Sequence, residues 1–266
     1  MSDILQDLSA PALVAAIRAN LFAWQRTLGR SPKAEFYDSP EVTWLLTGMP
    51  TPSLNTVVLK QANLEDVDAI IEDTRAHFES RGVTTVSWWI HPDTQPADLG
   101  QHLVDHGLTY REGTPGMAVD LWALNEDLLT PPGLAVEPVN DTGALKQWVY
   151  ASILGFGLPG TNVDPWFDLF AGLGFDLPLR NYLATLDGEP VASSQLLLGA
   201  GVAGIYVVAT LPGARRQGIG AAITLAPLRD ARALGYRVGI LHASPLGEGV
   251  YRRLGFQEYC RMSHYR

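Results

Sequence analysis

Residues 202–220 read VAGIYVVATLPGARRQGIG, and residues 221–235 continue AAITLAPLRDARALG. Val202 to Thr210 is rich in β-branched residues and has neither charge nor interior proline, so it predicts a buried strand. Pro212 and Gly213 break it. Two arginines, a glutamine and the step Gly218-Ile219-Gly220 follow, and a helix begins. A strand that empties through a glycine-bearing loop into a helix N-terminus presents unpaired N–H groups and the positive end of the helix dipole, a seat for phosphate. Gly218 and Gly220 let the backbone approach an anion because no Cβ stands in the way. A glycine-rich turn of this kind can also be purely structural.

Two common phosphate loops do not fit. A P-loop ends in Gly-Lys-Ser/Thr, and Lys146 is the only lysine after Lys60. A dinucleotide fingerprint needs Gly or Ala where this chain has Ile223, and an acid about 20 residues on, where it has Gly239, Ile240 and Leu241. The stretch Arg215-Arg216-Gln217-Gly218-Ile219-Gly220 instead resembles the acyl-coenzyme A loop of the GNAT acetyltransferases, Arg/Gln-x-x-Gly-x-Gly/Ala. Downstream, Tyr236 to Ala243 (YRVGILHA) predicts a second buried strand. Residues 244–256 (SPLGEGVYRRLGF) then resemble the closing motif of that family, Asn-x-x-Ala-x-x-x-Tyr-x-x-x-Gly-Phe. Ser244 stands where the family has asparagine and Gly247 where it has alanine. The resemblance covers residues 134–266.

It implies an N-acetyltransferase that moves acetyl from acetyl-coenzyme A to a primary amine by direct transfer. Backbone groups of Val208, Ala209 and Thr210 would pair with the pantetheine arm, where the central strand splays from its parallel neighbour. Arg215 to Gly220, with Ala221 behind them, would hold the pyrophosphate, and Ser244 would lie against the coenzyme. Tyr251 would protonate the sulfur as a positioned donor, since a phenol (pKa about 10) is a weaker acid than a thiol (about 8.5). As a base, His242 at the end of the second strand is a candidate relay, or simply a core histidine. Asp164, Asp168 and Glu189 stay open as a base, a cap, a solvated charge or a turn residue. The rival reading is a non-catalytic acyl-coenzyme A binding or sensing module. Acyl-chain length stays open, as does an acceptor among small amines, amino acids, antibiotics and protein amines.

The chain of 266 residues has 47% apolar and 18% charged residues, a globular composition long enough for two domains. Cys260 is the only cysteine, which rules out an intrachain disulfide or a thiolate metal site, and no metal is expected. No run of 18 apolar residues exists and the N-terminus lacks a basic region, so neither a span nor a signal peptide is expected. The simplest setting is cytoplasmic. Residues 1–130 hold 8 basic and 18 acidic residues, and residues 131–266 hold 11 and 10. That acidic first half argues against nucleic acid or an anionic membrane as partner. Oligomeric state is left open.

Ala10 to Arg26 carries apolar residues at helical spacing. Val42 to Thr47 and Asn55 to Lys60 predict strands, and Asn63 caps an acidic helix with Glu65, Asp66 and Asp68 near its positive end. Val83 to Ile90 is a strand, Asp98 to Asp105 a helix, and two strands are expected around Gly113 to Gly116. Residues 124–133 (LNEDLLTPPG) predict a linker. In the second half, Asn140 or Asp141 caps a helix to Leu154, Asp164 to Ala171 is another, and Tyr182 to Leu198 forms a hairpin. Trp166, Phe167 and Phe170 line either a substrate pocket or the core.

The fold class expected is mixed α/β. It consists of two GNAT-like domains, each a mostly antiparallel sheet flanked by helices: residues 1–123, a linker 124–133, and the catalytic domain 134–266. The element order repeats between halves, but the chemistry does not. Gln61 to Asp66 brings carboxylates where a pyrophosphate would sit, and Leu103 stands where the second half has Tyr251. The first domain is therefore read as degenerate.

Overall fold

In the computed structural model, which describes residues 3–49, 51, 54–61, 66–127 and 129–266, the first half runs through five strands and three helices. These are α1 (Ala10–Leu28), β1 (Glu35–Asp38), β2 (Val42–Leu46), β3 (Thr56–Gln61), α2 (Val67–Ser80), β4 (Ser87–Gln95), α3 (Leu99–Asp105) and β5 (Tyr110–Asp120). The second half contributes β6 (Leu134–Pro138), α4 (Thr142–Gly155), α5 (Val163–Ala171), β7 (Leu179–Leu186), β8 (Glu189–Gly199) and β9 (Val202–Thr210). It closes with α6 (Ile219–Ala233), β10 (Val238–His242), α7 (Glu248–Arg253) and β11 (Gln257–Tyr265). Asn63 and Glu65 lie outside the described residues. Asp141 caps α4, accepting from the Ala144 N–H at 2.8 Å.

The strands of both halves join in one sheet of order β1-β2-β3-β4-β11-β5-β10-β9-β8-β7-β6. Among the described residues only β3–β4 and β9–β10 pair in parallel. The two parallel pairs mark the same step in each half, so the repeat of element order is also a repeat of topology. At the seam the closing strands are exchanged. β11 of the second half pairs with β4, and β5 of the first half pairs with β10. Both closing strands then pair with each other.

Where two strands were expected around Gly113 to Gly116, the structure has one, β5. The glycines here serve close approach and not a turn: a Cβ on Gly116 would stand 2.6 Å from Cys260 Sγ. Pro115, which has no N–H to give, offers its carbonyl to the Ala243 N–H at 2.9 Å.

Helices α1, α4 and α5 cover one face of the sheet in a core of Leu21, Trp24, Leu28, Trp148, Trp166 and Phe170. Helix α6 covers the other face over the second half, with Ile219, Ile223 and Leu228 in a core that includes Tyr182 and Ile205. Helices α2 and α3 cover the first half around Ile71, Phe78, Trp88 and Leu103.

The first helix leans on the second half. Asn20, fully buried, donates to the Gly199 carbonyl at 2.7 Å and accepts from the Tyr206 hydroxyl at 2.7 Å. Trp24 stacks on Tyr206 at 4.8 Å and donates to Gln195 Oε1 at 2.8 Å. Asn20→Ala would leave the Tyr206 hydroxyl buried without a partner and open a small cavity. Each orphaned buried polar group costs about 1–3 kcal/mol, so a stability loss of about 2–4 kcal/mol is expected in urea unfolding. A change under about 0.5 kcal/mol would show that this network does not tie α1 to the sheet.

Candidate functional site

The centre of the second half is a fork. β9 pairs with β10 only through Ala203, Gly204 and Ile205, opposite Gly239, Ile240 and Leu241. β10 ends at His242, while β9 runs on to Thr210. Tyr206 to Thr210 therefore pair with no strand on that side among the described residues, and apart from the Thr210 carbonyl, which accepts from Arg215, their backbone edge is open to an extended ligand. The strand is also bent within this segment. Val207 has φ +51°, a costly conformation for a β-branched residue. The register to β8 shifts here, between the pairs Ser193–Ala209 and Gln195–Tyr206. Val208, Ala209 and Thr210 lie just beyond the bend.

The open edge leads directly into the loop before α6. Arg216 (φ +62°) and Gly218 (φ +83°) are both left-handed, which turns successive N–H groups toward one side. Among the described residues no acceptor takes the N–H groups of Arg216 to Gly220, whereas Ala221 N–H is already bound to the Gly218 carbonyl at 3.0 Å. Five orphan donors at the positive end of a 15-residue helix suit a polyanion.

The two arginines do different work. Arg215 turns inward, donating to the Thr210 carbonyl at 3.1 Å and the Gly155 carbonyl at 2.9 Å. It clamps the end of α4 to the end of β9. Arg216 is exposed and has no ion pair among the described residues. Gln217 donates to the Gly213 carbonyl at 3.2 Å. Gly218 carries a second constraint, since a Cβ there would stand 2.1 Å from the Leu129 carbonyl of the crossing segment.

Tyr251 lies on α7, on the same face of the sheet as α6. Its ring is 7% exposed and packs against Phe256 at 6.0 Å between centroids. Burial pushes its phenol well above the usual range, so the hydroxyl keeps its proton at physiological pH. None of the described residues hydrogen-bonds to that hydroxyl. Gly247, which replaces the family's alanine, has a steric reason: a Cβ there would stand 2.7 Å from Tyr251 Cε2. Ser244 serves the turn into α7, its Oγ accepting from the Gly247 N–H at 3.2 Å.

His242 lies across the fork from Tyr206, on the α1 face. Burial, with His264 and His91 nearby, pushes its imidazole down to about 3, so it is neutral at physiological pH. It meets Trp89 edge-on at 5.8 Å, and Trp89 in turn touches His264. Trp89 Nε1 and Nε2 of His91, His242 and His264 are all buried without a partner. Of these four residues only His242 stands out in the sequence. The others sit in strands that read as ordinary β structure, and no spacing links residues 89, 91, 242 and 264.

The remaining candidates have structural places. Asp168 pairs with Lys33 at 3.3 Å, and Asp164 lies in the first turn of α5. Glu189 is exposed at the start of β8. Trp166 and Phe170 are core residues, while Phe167 is half-buried beneath Lys146. In the first half, Leu103 is buried in its core. Asp68, in the first turn of α2, is held by His102 and His106 at 2.9 and 3.1 Å. No group of three or more potential metal ligands occurs among the described residues. None of their helices is long and apolar enough to cross a membrane.

Comparison with known proteins places these features in context. Residues 150–256 match the model of the Acetyltransferase (GNAT) family. The mycothiol acetyltransferase of Streptomyces avermitilis is 28% identical over 164 residues, 60% of this chain and 46% of that protein. The chain thus matches about half the length of that relative. Among solved structures, a GCN5-related N-acetyltransferase from Kribbella flavida superposes with a TM-score of 0.69 at 22% identity, covering 98% of this chain and 96% of that one. A tandem GNAT protein from the clavulanic acid biosynthesis pathway gives 0.57 at 13% identity, with 98% and 94% covered. These two likenesses concern the fold.

Proposed function

We propose that the chain, whose residues 150–256 match the model of the Acetyltransferase (GNAT) family, transfers acetyl directly from acetyl-coenzyme A to a primary amine. The observation that carries this is the continuity of the fork with the loop. The open edge of Tyr206 to Thr210 runs straight into the unpaired N–H groups of Arg216 to Gly220. One edge suits an extended amide-bearing arm and the other suits its pyrophosphate. Bound there, acetyl-coenzyme A supplies a thioester carbonyl open to attack and a thiolate leaving group.

The residues of the chain then divide the work. Backbone groups of Val208, Ala209 and Thr210 align the arm, and an N–H at the bent segment of β9 polarises the thioester oxygen. Arg216 adds a cation beside the pyrophosphate. The Tyr251 hydroxyl points its proton at the sulfur and recovers one from the attacking nitrogen. The first half, residues 1–123, acts as a degenerate partner joined by residues 124–133, and shapes the acceptor side. A cytoplasmic setting belongs to the same reading.

The test is release of free thiol from acetyl-coenzyme A across a panel of amines, amino acids and peptides, including the acceptor of mycothiol acetyltransferases. Calorimetry should show one coenzyme site per chain. Two equivalent sites would overturn the degenerate first half. Binding without thiol release across the panel would favour a non-catalytic acyl-coenzyme A module.

A further inference from the structure

We propose that Asn125, in the segment that joins the two halves, positions Tyr251 by holding the end of its helix. The inference rests on the reading above, in which Tyr251 protonates the departing sulfur.

Helix α7 has only six residues, Glu248 to Arg253, too few to keep their shape without tertiary support. The ion pairs of Arg252 with Glu248 and Glu258 are exposed and contribute little. The last carbonyls of a helix need partners from beyond it. Those of Val250, Tyr251 and Arg252 accept from the N–H groups of Leu254, Phe256 and Gly255 at 3.2, 3.0 and 3.1 Å. Among the described residues, Asn125 alone serves the next two. Its Nδ2 donates to the Arg253 carbonyl at 3.1 Å, and its backbone N–H donates to the Leu254 carbonyl at 3.1 Å. Its Oδ1 accepts from the Asp127 N–H at 3.2 Å. The amide cannot turn over without losing both side-chain bonds.

The segment is itself anchored. Glu126 pairs with Arg229 at 2.7 Å and Arg232 at 2.6 Å, both on α6. A Cβ on Gly255 would stand 3.3 Å from the Ala123 carbonyl, so the chain leaving α7 lies close against the start of the segment. Further on, the Leu129 carbonyl lies against Gly218. The same stretch of chain thus touches the end of α7, the flank of α6 and the phosphate loop. It sets the acid and the pyrophosphate seat relative to each other. The Tyr251 hydroxyl has no hydrogen-bond partner of its own among the described residues, so the packing of its ring on Phe256 and the placement of α7 aim it. A displacement of about 1 Å in a reacting group can cost about 100-fold in rate. Asn125 touches no reacting atom and is a positioning residue.

Asn125→Ala, made alone and together with Tyr251→Phe in the full chain, tests this. The side chain is exposed and water can take the freed Arg253 carbonyl, so the melting temperature should change little. Without coenzyme, amide hydrogen exchange across residues 248–256 should quicken while that across α6 stays as in wild type. At saturating acetyl-coenzyme A and amine, turnover should fall at least about fivefold. Coenzyme affinity by calorimetry should stay within about twofold. In Tyr251→Phe, which has no proton to aim, adding Asn125→Ala should lower turnover by less than about twofold. Asn125→Asp keeps the shape but turns a carboxylate on the carbonyl end of the helix. It should lose at least as much turnover, and it replaces Asn125→Ala if that variant does not fold. Unchanged turnover or exchange in the single variants, or an equal loss with and without the Tyr251 hydroxyl, would overturn the positioning role. Wild-type turnover in Tyr251→Phe alone would remove the acid, and this role with it. Thiol release absent in the wild type would instead remove the acetyl-transfer reading on which both stand.

Discussion

Gly220→Glu should weaken coenzyme A binding at least about 100-fold while leaving the protein folded. A Cβ at Gly220 meets only Thr210 Oγ1, at an ordinary 3.6 Å, and the residue lies inside α6 without a left-handed backbone. Replacing a helical glycine stabilises by about 0.5–1 kcal/mol, and an acid in the first turn favours the dipole by a further few tenths. The melting temperature should therefore hold or rise.

The new carboxylate nonetheless faces the seat of a pyrophosphate. Two like charges about 5 Å apart repel by about 3 kcal/mol at an effective dielectric of 20, less after screening at a half-buried site. The pyrophosphate brings more than one such charge, so a loss of about 3 kcal/mol, or roughly 100-fold, remains. The companion Gly218→Glu would mix causes, because its Cβ would strike the Leu129 carbonyl at 2.1 Å from a left-handed backbone. Calorimetry with coenzyme A, beside a thermal melt, decides the matter. Undiminished affinity in folded Gly220→Glu would falsify the cradle.

Tyr251→Phe should lower turnover at least about tenfold with little change in coenzyme affinity or stability. A positioned acid contributes about 10²–10⁴-fold to rate, and water replaces part of that. The stability half of this expectation is specific to Tyr251, whose hydroxyl has no partner among the described residues. Removing it breaks no hydrogen bond and leaves the ring on Phe256 and Gly247. At Tyr182, whose hydroxyl donates to Asp230 at 2.7 Å, the same change would cost stability.

Because burial raises the phenol, it stays protonated well past neutrality, and the deficit should be constant between about pH 6 and 9. An interaction made mainly in the transition state lowers turnover and catalytic efficiency together. Wild-type turnover in the mutant, measured where chemistry limits the rate, would mean that the sulfur takes its proton elsewhere.

Much of this site is legible in one dimension. The apolar run Val202–Thr210, the break at Pro212-Gly213 and the paired glycines are local features, and strand, loop and helix follow from short-range sterics. The same holds for Asp141 at the start of α4. The role of Arg215 was not legible. A guanidinium before a glycine loop reads as an anion ligand, but its carbonyl partners at Gly155 and Thr210 meet only once α4 packs on β9. The glycines of β5 look like a turn in sequence, and their reason is the close approach of Cys260, 144 positions away from Gly116.

By itself, then, the sequence determined the strand of residues 202–210, the loop with its orphan donors and the helix that follows, because each depends on neighbours within a few residues. The tertiary structure alone decided which strands meet. The alternation in Gln257–Tyr265 suits any antiparallel neighbour, so nothing local says that β11 enters the first half and β5 the second. That exchange brings Trp89 against His242 and His264, and α1 packs across β8 and β9. Long-range strand pairing and helix packing are collective outcomes of burying apolar surface on both faces of one sheet, and no single segment encodes them.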